Sequence, residues 1–80
     1  MPPEELRNHL RQRPFLPLRI HLSDGRVFEV RHPDLVWVGR HVAVVGILEP
    51  GPEPYLEKHE TIALVHIVSL EPLSAAAPPA

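Results

Sequence analysis

The chain has 80 residues, a formal net charge of −2 and no cysteine. This length allows one small domain, and the lack of cysteine excludes disulfide bonds and thiolate metal sites. The slight negative charge argues against strong nonspecific binding to nucleic acids, which needs a large positive field. The sequence starts without the basic residues and apolar run of a signal peptide, and no apolar stretch approaches the roughly 20 residues that span a bilayer. We therefore expect a soluble, cytoplasmic protein without membrane contacts.

The first predicted element is a short helix at about residues 3–12. Two prolines precede two glutamates, which suit the positive end of a helix dipole, and Pro14 ends the pattern. Leu6 and Leu10 are four residues apart and share one helix face. Since a helix of this length is marginal alone in water, we expect this face to dock on the rest of the domain.

A β-hairpin is predicted next, because apolar and polar residues alternate on both sides of Ser23-Asp24-Gly25. A two-residue turn would place Ile20 opposite Glu29, which sets a charge against a core position. A three-residue turn places Ile20 opposite Phe28 instead. Burial therefore favours the longer turn, in which Gly25 is left-handed within a G1 bulge.

The second half of the chain predicts further short strands. His32-Pro33-Asp34 interrupts the second strand, because proline removes a ladder donor. A strand from His41 to Leu48 is apolar on both faces, so its second face needs cover from either the helix or another subunit. A proline-rich loop follows at 49–54, and β character resumes between Thr61 and Leu70 with one tight turn.

These elements predict a mainly β fold with one N-terminal helix. About five short strands would form a small, strongly bent sheet or a partly open barrel. The predicted domain covers residues 1–72, and we expect the alanine- and proline-rich tail at 73–80 to be disordered.

Parts of the sequence resemble known families. The order of helix, Asp-Gly hairpin and further strands over residues 4–71 resembles the Sm-like fold, in particular its bacterial Hfq form. The similarity to the start of Hfq-type chains is carried by Leu6, Leu10-Arg11, Arg13, Leu18-Arg19-Ile20-His21-Leu22 and Gly25. A second similarity, to a family of small uncharacterised bacterial proteins, spans most of the chain and is carried by Pro14-Phe15, Pro17-Leu18-Arg19-Ile20-His21-Leu22-Ser23-Asp24-Gly25-Arg26, Val30-Arg31-His32-Pro33 and Ile67-Val68-Ser69-Leu70-Glu71.

The Sm-like resemblance implies a small Sm-like or SH3-like barrel, rings of subunits joined through edge strands, and RNA bound around a pore. Sm-type chains hold a base with an Asp and an Asn between their second and third strands, where this chain reads His32-Pro33-Asp34-Leu35 and has no Asn. Hfq-type chains carry a Tyr-Lys-His run before the last strand, for which Lys58-His59 and Val65-His66 are the candidates. The resemblance thus implies RNA contacts at Arg7, Arg11, Lys58, His59 and His66. The family of small bacterial proteins implies no known activity.

No catalytic, metal or cofactor site can be assembled from the residue pattern. The six histidines are scattered, and no two have the short spacing typical of paired zinc ligands, so we interpret them as surface or half-buried residues. His21 and His41 could converge only if their strands pair. Three serines, one threonine and dispersed carboxylates give no nucleophile with a base and an orienting group. We expect no enzymatic activity and no small-molecule substrate.

The arginines and the single tryptophan leave alternatives open. Arg7 and Arg11 form a stripe that is either a phosphate-binding face or a solvated face paired with the neighbouring glutamates. Trp37 belongs either to the core or to an interface.

We expect a non-enzymatic interaction module that assembles into a homo-oligomer. Unpaired strand edges at Val42–Leu48 and Thr61–Leu70 would join the subunits by strand addition. The predicted interface residues are Trp37, Val42, Val44, Ile62 and Leu64. The alternative is an Sm-like, Hfq-type RNA-binding protein.

Overall fold

The computed structural model describes residues 1–52 and 55–73. Apart from Leu73, the predicted tail at 73–80 lies outside these residues, as do positions 53 and 54 of the predicted loop. The N-terminal helix α1 spans Pro3–Arg11, with two glutamates in its first turn and Leu6 and Leu10 buried. The predicted helix at 3–12 is confirmed to within one residue, and its apolar face docks on the sheets as expected.

The predicted hairpin is confirmed in both its register and its turn. Strand β1 (Leu18–Leu22) pairs with β2 (Val27–Val30), and Ile20 stands opposite Phe28. Gly25 has a φ of 93° and donates its N–H to the Leu22 carbonyl at 3.0 Å, which closes the turn. Glycine favours this left-handed conformation because it has no Cβ.

The remaining elements form a second sheet and complete the first. A 3₁₀ turn at Pro33–Leu35 leads into β3, and a second 3₁₀ turn at Leu64–His66 separates β5 from β6. The strands are β3 (Val36–Val38), β4 (Val42–Leu48), β5 (Leu56–Ala63) and β6 (Ile67–Pro72). The two antiparallel sheets have the orders β2-β1-β6 and β3-β4-β5.

The core lies between these two sheets and α1. Its most buried side chains come from all three layers and include Leu6, Ile20, Val30, Val45 and Ile62. Pairing among the described strands gives two open three-stranded sheets and closes no barrel between them. The prediction of a mainly β fold with one N-terminal helix is confirmed, with six strands among the described residues instead of about five.

The position of β4 in its sheet contradicts one prediction about unpaired strand edges. Val42–Leu48 was expected to expose an unpaired edge, but β4 is the central strand of its sheet and pairs with both β3 and β5. Ala43 and Val45 on one face are buried, whereas Val42 on the other face is 40% exposed and Val44 is half-buried. The apolar run is therefore covered on one face and only partly covered on the other within the described residues.

Strand β5 begins five residues before the predicted start at Thr61. This start could not be predicted from the sequence, because the charged run Glu57-Lys58-His59-Glu60 lacks the alternation of apolar and polar residues that indicates a strand. No helix among the described residues is long and apolar enough to cross a membrane.

Candidate functional sites

The free edge of β5 is the longest unpaired strand edge in the described residues. β4 is the only described strand that pairs with β5. Leu64 donates its N–H to the His41 carbonyl at 2.9 Å, and the same register pairs Ile62 with Ala43. Backbone groups in an antiparallel ladder point to alternate sides. The N–H and C=O of His59 and Thr61 therefore point away from β4, toward the free edge.

The side chains of β5 carry both signs of charge. Lys58 and Glu60 share the core-side face with Ile62, whereas His59 and Thr61 lie on the outer face and are exposed. Lys58 Nζ is 3.6 Å from Glu60 Oε2, and Arg26 Nη1 is 3.8 Å from Glu60 Oε1. These pairs are largely solvated, so each contributes little to stability. Their value lies in the pattern of charge that they present to an incoming strand.

The five predicted interface residues separate into two groups. Trp37 is 56% exposed and stands directly opposite Val44 on the outer face of the second sheet, beside Val42. Ile62 and Leu64, in contrast, are only 1% and 2% exposed within the folded chain. Their side chains belong to the core, so any interface that includes them must use their backbone or the neighbouring residues.

A cleft of about 320 Å³ lies between α1 and β3. Arg7, Arg11, Arg13 and Trp37 are among its lining residues, with one carboxylate, Asp34. Arg7 Nη2 donates to the Val38 carbonyl at 3.4 Å, and Arg13 Nη1 donates to the Gln12 carbonyl at 2.7 Å and the Leu10 carbonyl at 3.1 Å. Guanidinium groups can bind phosphates, and an exposed indole can stack on a base.

A larger cavity of about 560 Å³ opens between the two sheets. Apolar side chains line much of it, among them Phe28, Leu35, Ile47 and Leu48. Two acidic and two basic residues accompany them, namely Glu29, Glu57, Arg31 and Lys58. Because these charges balance, the lining does not select an anion or a cation.

The predicted RNA contacts do not form one site. Arg7 and Arg11 line the α1–β3 cleft, whereas Lys58 lines the inter-sheet cavity. His59 lies on the outer face of β5, and His66 lies in the second 3₁₀ turn. His66 contacts the hairpin instead, with Nδ1 3.2 Å from Ser23 Oγ and its carbonyl 2.8 Å from the Ser23 N–H.

Sequence reasoning missed Arg13 as a member of the cleft. Arg13 lies just beyond the last residue of α1, and its side chain folds back on the terminal carbonyls of the helix. Cations favour this position because the C-terminal end of a helix carries partial negative charge. That preference was a usable signal, but only the tertiary structure brings Trp37 to the same place.

The outer face of the first sheet holds a close pair between a histidine and a carboxylate. His21 Nε2 lies 2.7 Å from Glu71 Oε1, and Arg19 reaches the same oxygen at 3.6 Å. The hydrogen bond from His21, with the charge of Arg19, lowers the pKa of Glu71 below its ordinary value of 4.5. This pair ties β1 to β6 and lies on an open sheet face.

Within residues 1–52 and 55–73, no three histidine or acidic side chains are arranged to hold a metal ion. His21 lies on β1 and His41 just before β4, in different sheets, so strand pairing does not bring them together. Comparisons of this chain with protein-family models, curated proteins and solved structures gave no match.

Proposed function

We propose that the protein is a non-enzymatic assembly module that self-associates through the free edge of β5. The observation that carries this proposal is the unpaired backbone of His59 and Thr61 on a strand of eight residues. An open edge of this length is a template for another strand, and its backbone hydrogen bonds supply affinity while its side chains supply specificity. Two exposed apolar residues, Leu56 at the start of β5 and Val65 in the 3₁₀ turn that follows it, add area that association would cover.

The architecture we propose for the module is Sm-like. The order of one helix, a hairpin and two small sheets joined by 3₁₀ turns supports this interpretation. Sm-like chains assemble by pairing edge strands, and both β5 and β6 have one side without a described partner. β5 is the longer of the two and ends in no proline, whereas β6 ends at Pro72.

Light scattering after size exclusion, over a series of protein concentrations, tests self-association. Thr61→Pro removes an N–H that points to the free edge and leaves the ladder with β4 intact, because proline is tolerated where its missing donor faces solvent. Thr61→Ala, which keeps the N–H, is the matched control. We expect the wild type and T61A to form oligomers and T61P to be monomeric. A monomeric wild type at high concentration would refute the proposal.

Single-stranded RNA binding is the second candidate function. The observation that favours it is that Arg7, Arg11, Arg13 and Trp37 line the same cleft between α1 and β3. Phosphates would contact the guanidinium groups while a base stacks on the indole, a combination that tolerates many sequences. The small negative total charge of the chain limits this binding to the local patch.

The intrinsic fluorescence of the sole tryptophan reports directly on this cleft. Uridine-rich and adenine-rich RNA should be titrated at two salt concentrations, with Arg11→Ala as the test variant and Lys58→Ala, outside the cleft, as the control. We expect R11A to weaken binding and to reduce the salt slope by about 0.7. No affinity at low salt, or equal losses in R11A and K58A, would remove this candidate.

A further inference from the structure

We infer that the partner of β5 is β5 of a second copy, paired antiparallel about a two-fold axis through His59. This inference rests on the proposed self-association and adds its register and symmetry. A two-fold contact uses the same patch on both subunits, so the patch must complement itself. β5 has this property at its centre, because Lys58 and Glu60, which carry opposite charges, flank His59.

The ladder geometry allows few registers. Residues directly opposite each other in an antiparallel pair have side chains on the same face of the sheet. A two-fold axis perpendicular to the sheet must therefore pass through a residue and not between two residues. The backbone groups of that residue must also point to the free edge if it is to form a hydrogen-bonded pair with itself. His59 and Thr61 meet this condition near the middle of the strand.

Charge selects His59 over the other possible centres. An axis at Glu57, Lys58 or Glu60 would set that charged side chain against its own copy, which is unfavourable. An axis at Thr61 would place Glu60 opposite the partner's Ile62, an apolar residue. An axis at His59 places Lys58 opposite the partner's Glu60, and the symmetry makes this ion pair twice.

The pair that this register forms lies in the regular part of β5. The ladder with β4 is continuous from Lys58 to Ala63, and its register shifts only before Lys58. Lys58 and Glu60 keep 57% and 34% of their side-chain surface in solvent, so both are accessible for contacts across the axis.

Charge reversal tests the register. Lys58→Glu and Glu60→Lys each replace two opposite-charge pairs by two like-charge pairs, and we expect each to weaken self-association by about tenfold. An equimolar mixture of K58E and E60K restores both opposite-charge pairs in a heterodimer. We therefore expect the mixture to associate like the wild type, although each variant alone does not. A mixture as weak as its components would overturn the register.

Disulfide trapping gives an independent reading, since the chain has no cysteine of its own. In His59→Cys the two introduced thiols lie opposite each other, with Cα atoms about 5.5 Å apart, within disulfide range. Thr61→Cys, on the same exposed face, is the control, because its thiols would be about 14 Å apart along the strand. We expect H59C to form a covalent dimer under mild oxidation and T61C not to.

The outcomes separate this inference from the proposed function. Cross-linking of T61C but not H59C, in a wild-type protein that still associates, overturns the two-fold register and leaves self-association standing. A wild-type protein that is monomeric, with neither variant cross-linked, overturns both.

Discussion

Replacing Gly25 with alanine is expected to destabilise the protein by about 1 kcal/mol, for a reason confined to the backbone. The glycine has a φ of 93°, and a Cβ added there would meet no atom within 4 Å. Contact with other parts of the fold therefore contributes nothing, and the cost comes from holding an L-residue in a left-handed conformation, where its Cβ crowds the adjacent backbone, roughly 1–2 kcal/mol. The variant recovers about 0.4–1 kcal/mol because alanine restricts the unfolded chain.

Urea denaturation followed by circular dichroism measures this loss. With a slope of about 1 kcal/mol per molar urea for a small domain, the midpoint of G25A should fall by about 1 M. Gly25→Asn is the matched control, since asparagine adopts left-handed conformations more readily and should lose less. A G25A variant as stable as the wild type would refute the assignment of a left-handed turn. Equal losses in G25A and G25N would place the cost outside the backbone conformation.

Two further predictions concern the core and the acid response. Leu6→Ala should lower the free energy of unfolding by about 2–5 kcal/mol, because Leu6 is fully buried on the core-facing side of α1. Leu16→Ala, at an exposed site, should change it little, and equal urea midpoints for the two variants would contradict the docking of the helix. Because His21 holds the pKa of Glu71 below 4.5, the carboxylate stabilises the fold above that pH, and this contribution is lost as the pH falls through the folded pKa. Glu71→Gln should therefore reduce the loss of stability below about pH 4.5. Parallel pH profiles of stability for E71Q and the wild type would contradict a stabilising pair between His21 and Glu71.

The sequence predicted those elements whose signals are local. The hairpin register followed from burial alone, because a slip of one residue would turn Ile20 out of the core. The helix followed from its prolines, its glutamates and the spacing of Leu6 and Leu10. Each of these arguments needs only residues that are close in the chain, and each agrees with the structure.

The errors arose where position within the sheet decides the outcome. Val42–Leu48 is apolar on both faces, and this pattern does not state whether its edges are paired; the structure makes it a central strand. The first half of β5 is polar on both faces because Lys58 lies where the core gives way to the open inter-sheet cavity. A strand that leaves the core loses the alternation by which strands are recognised.

The candidate sites were predicted in pieces for a related reason. Arg7 and Trp37 were each selected from the sequence, one as a phosphate contact and one as an interface residue. Their meeting in the α1–β3 cleft depends on how α1 docks against β3. No spacing rule relates residues 30 positions apart, so only the tertiary structure could bring them together.

The charges of β5 connect its solubility with its selectivity. A long free edge is a general template for aggregation, and natural proteins often protect such edges with charged side chains. Lys58 and Glu60 do so here, because most registers of an incoming strand leave at least one of these charges opposite a like charge or an apolar residue. The two charges are also arranged so that one register, centred on His59, satisfies both. The same two residues thus disfavour pairing with most strands and favour pairing with a second copy of β5. A variant that neutralises both charges, K58Q/E60Q, should pair with a wider range of strands and with less selectivity. Aggregation of this variant under conditions where the wild type remains a defined oligomer would be the measured sign, and an unchanged, monodisperse oligomer would show that the charges do not set the register.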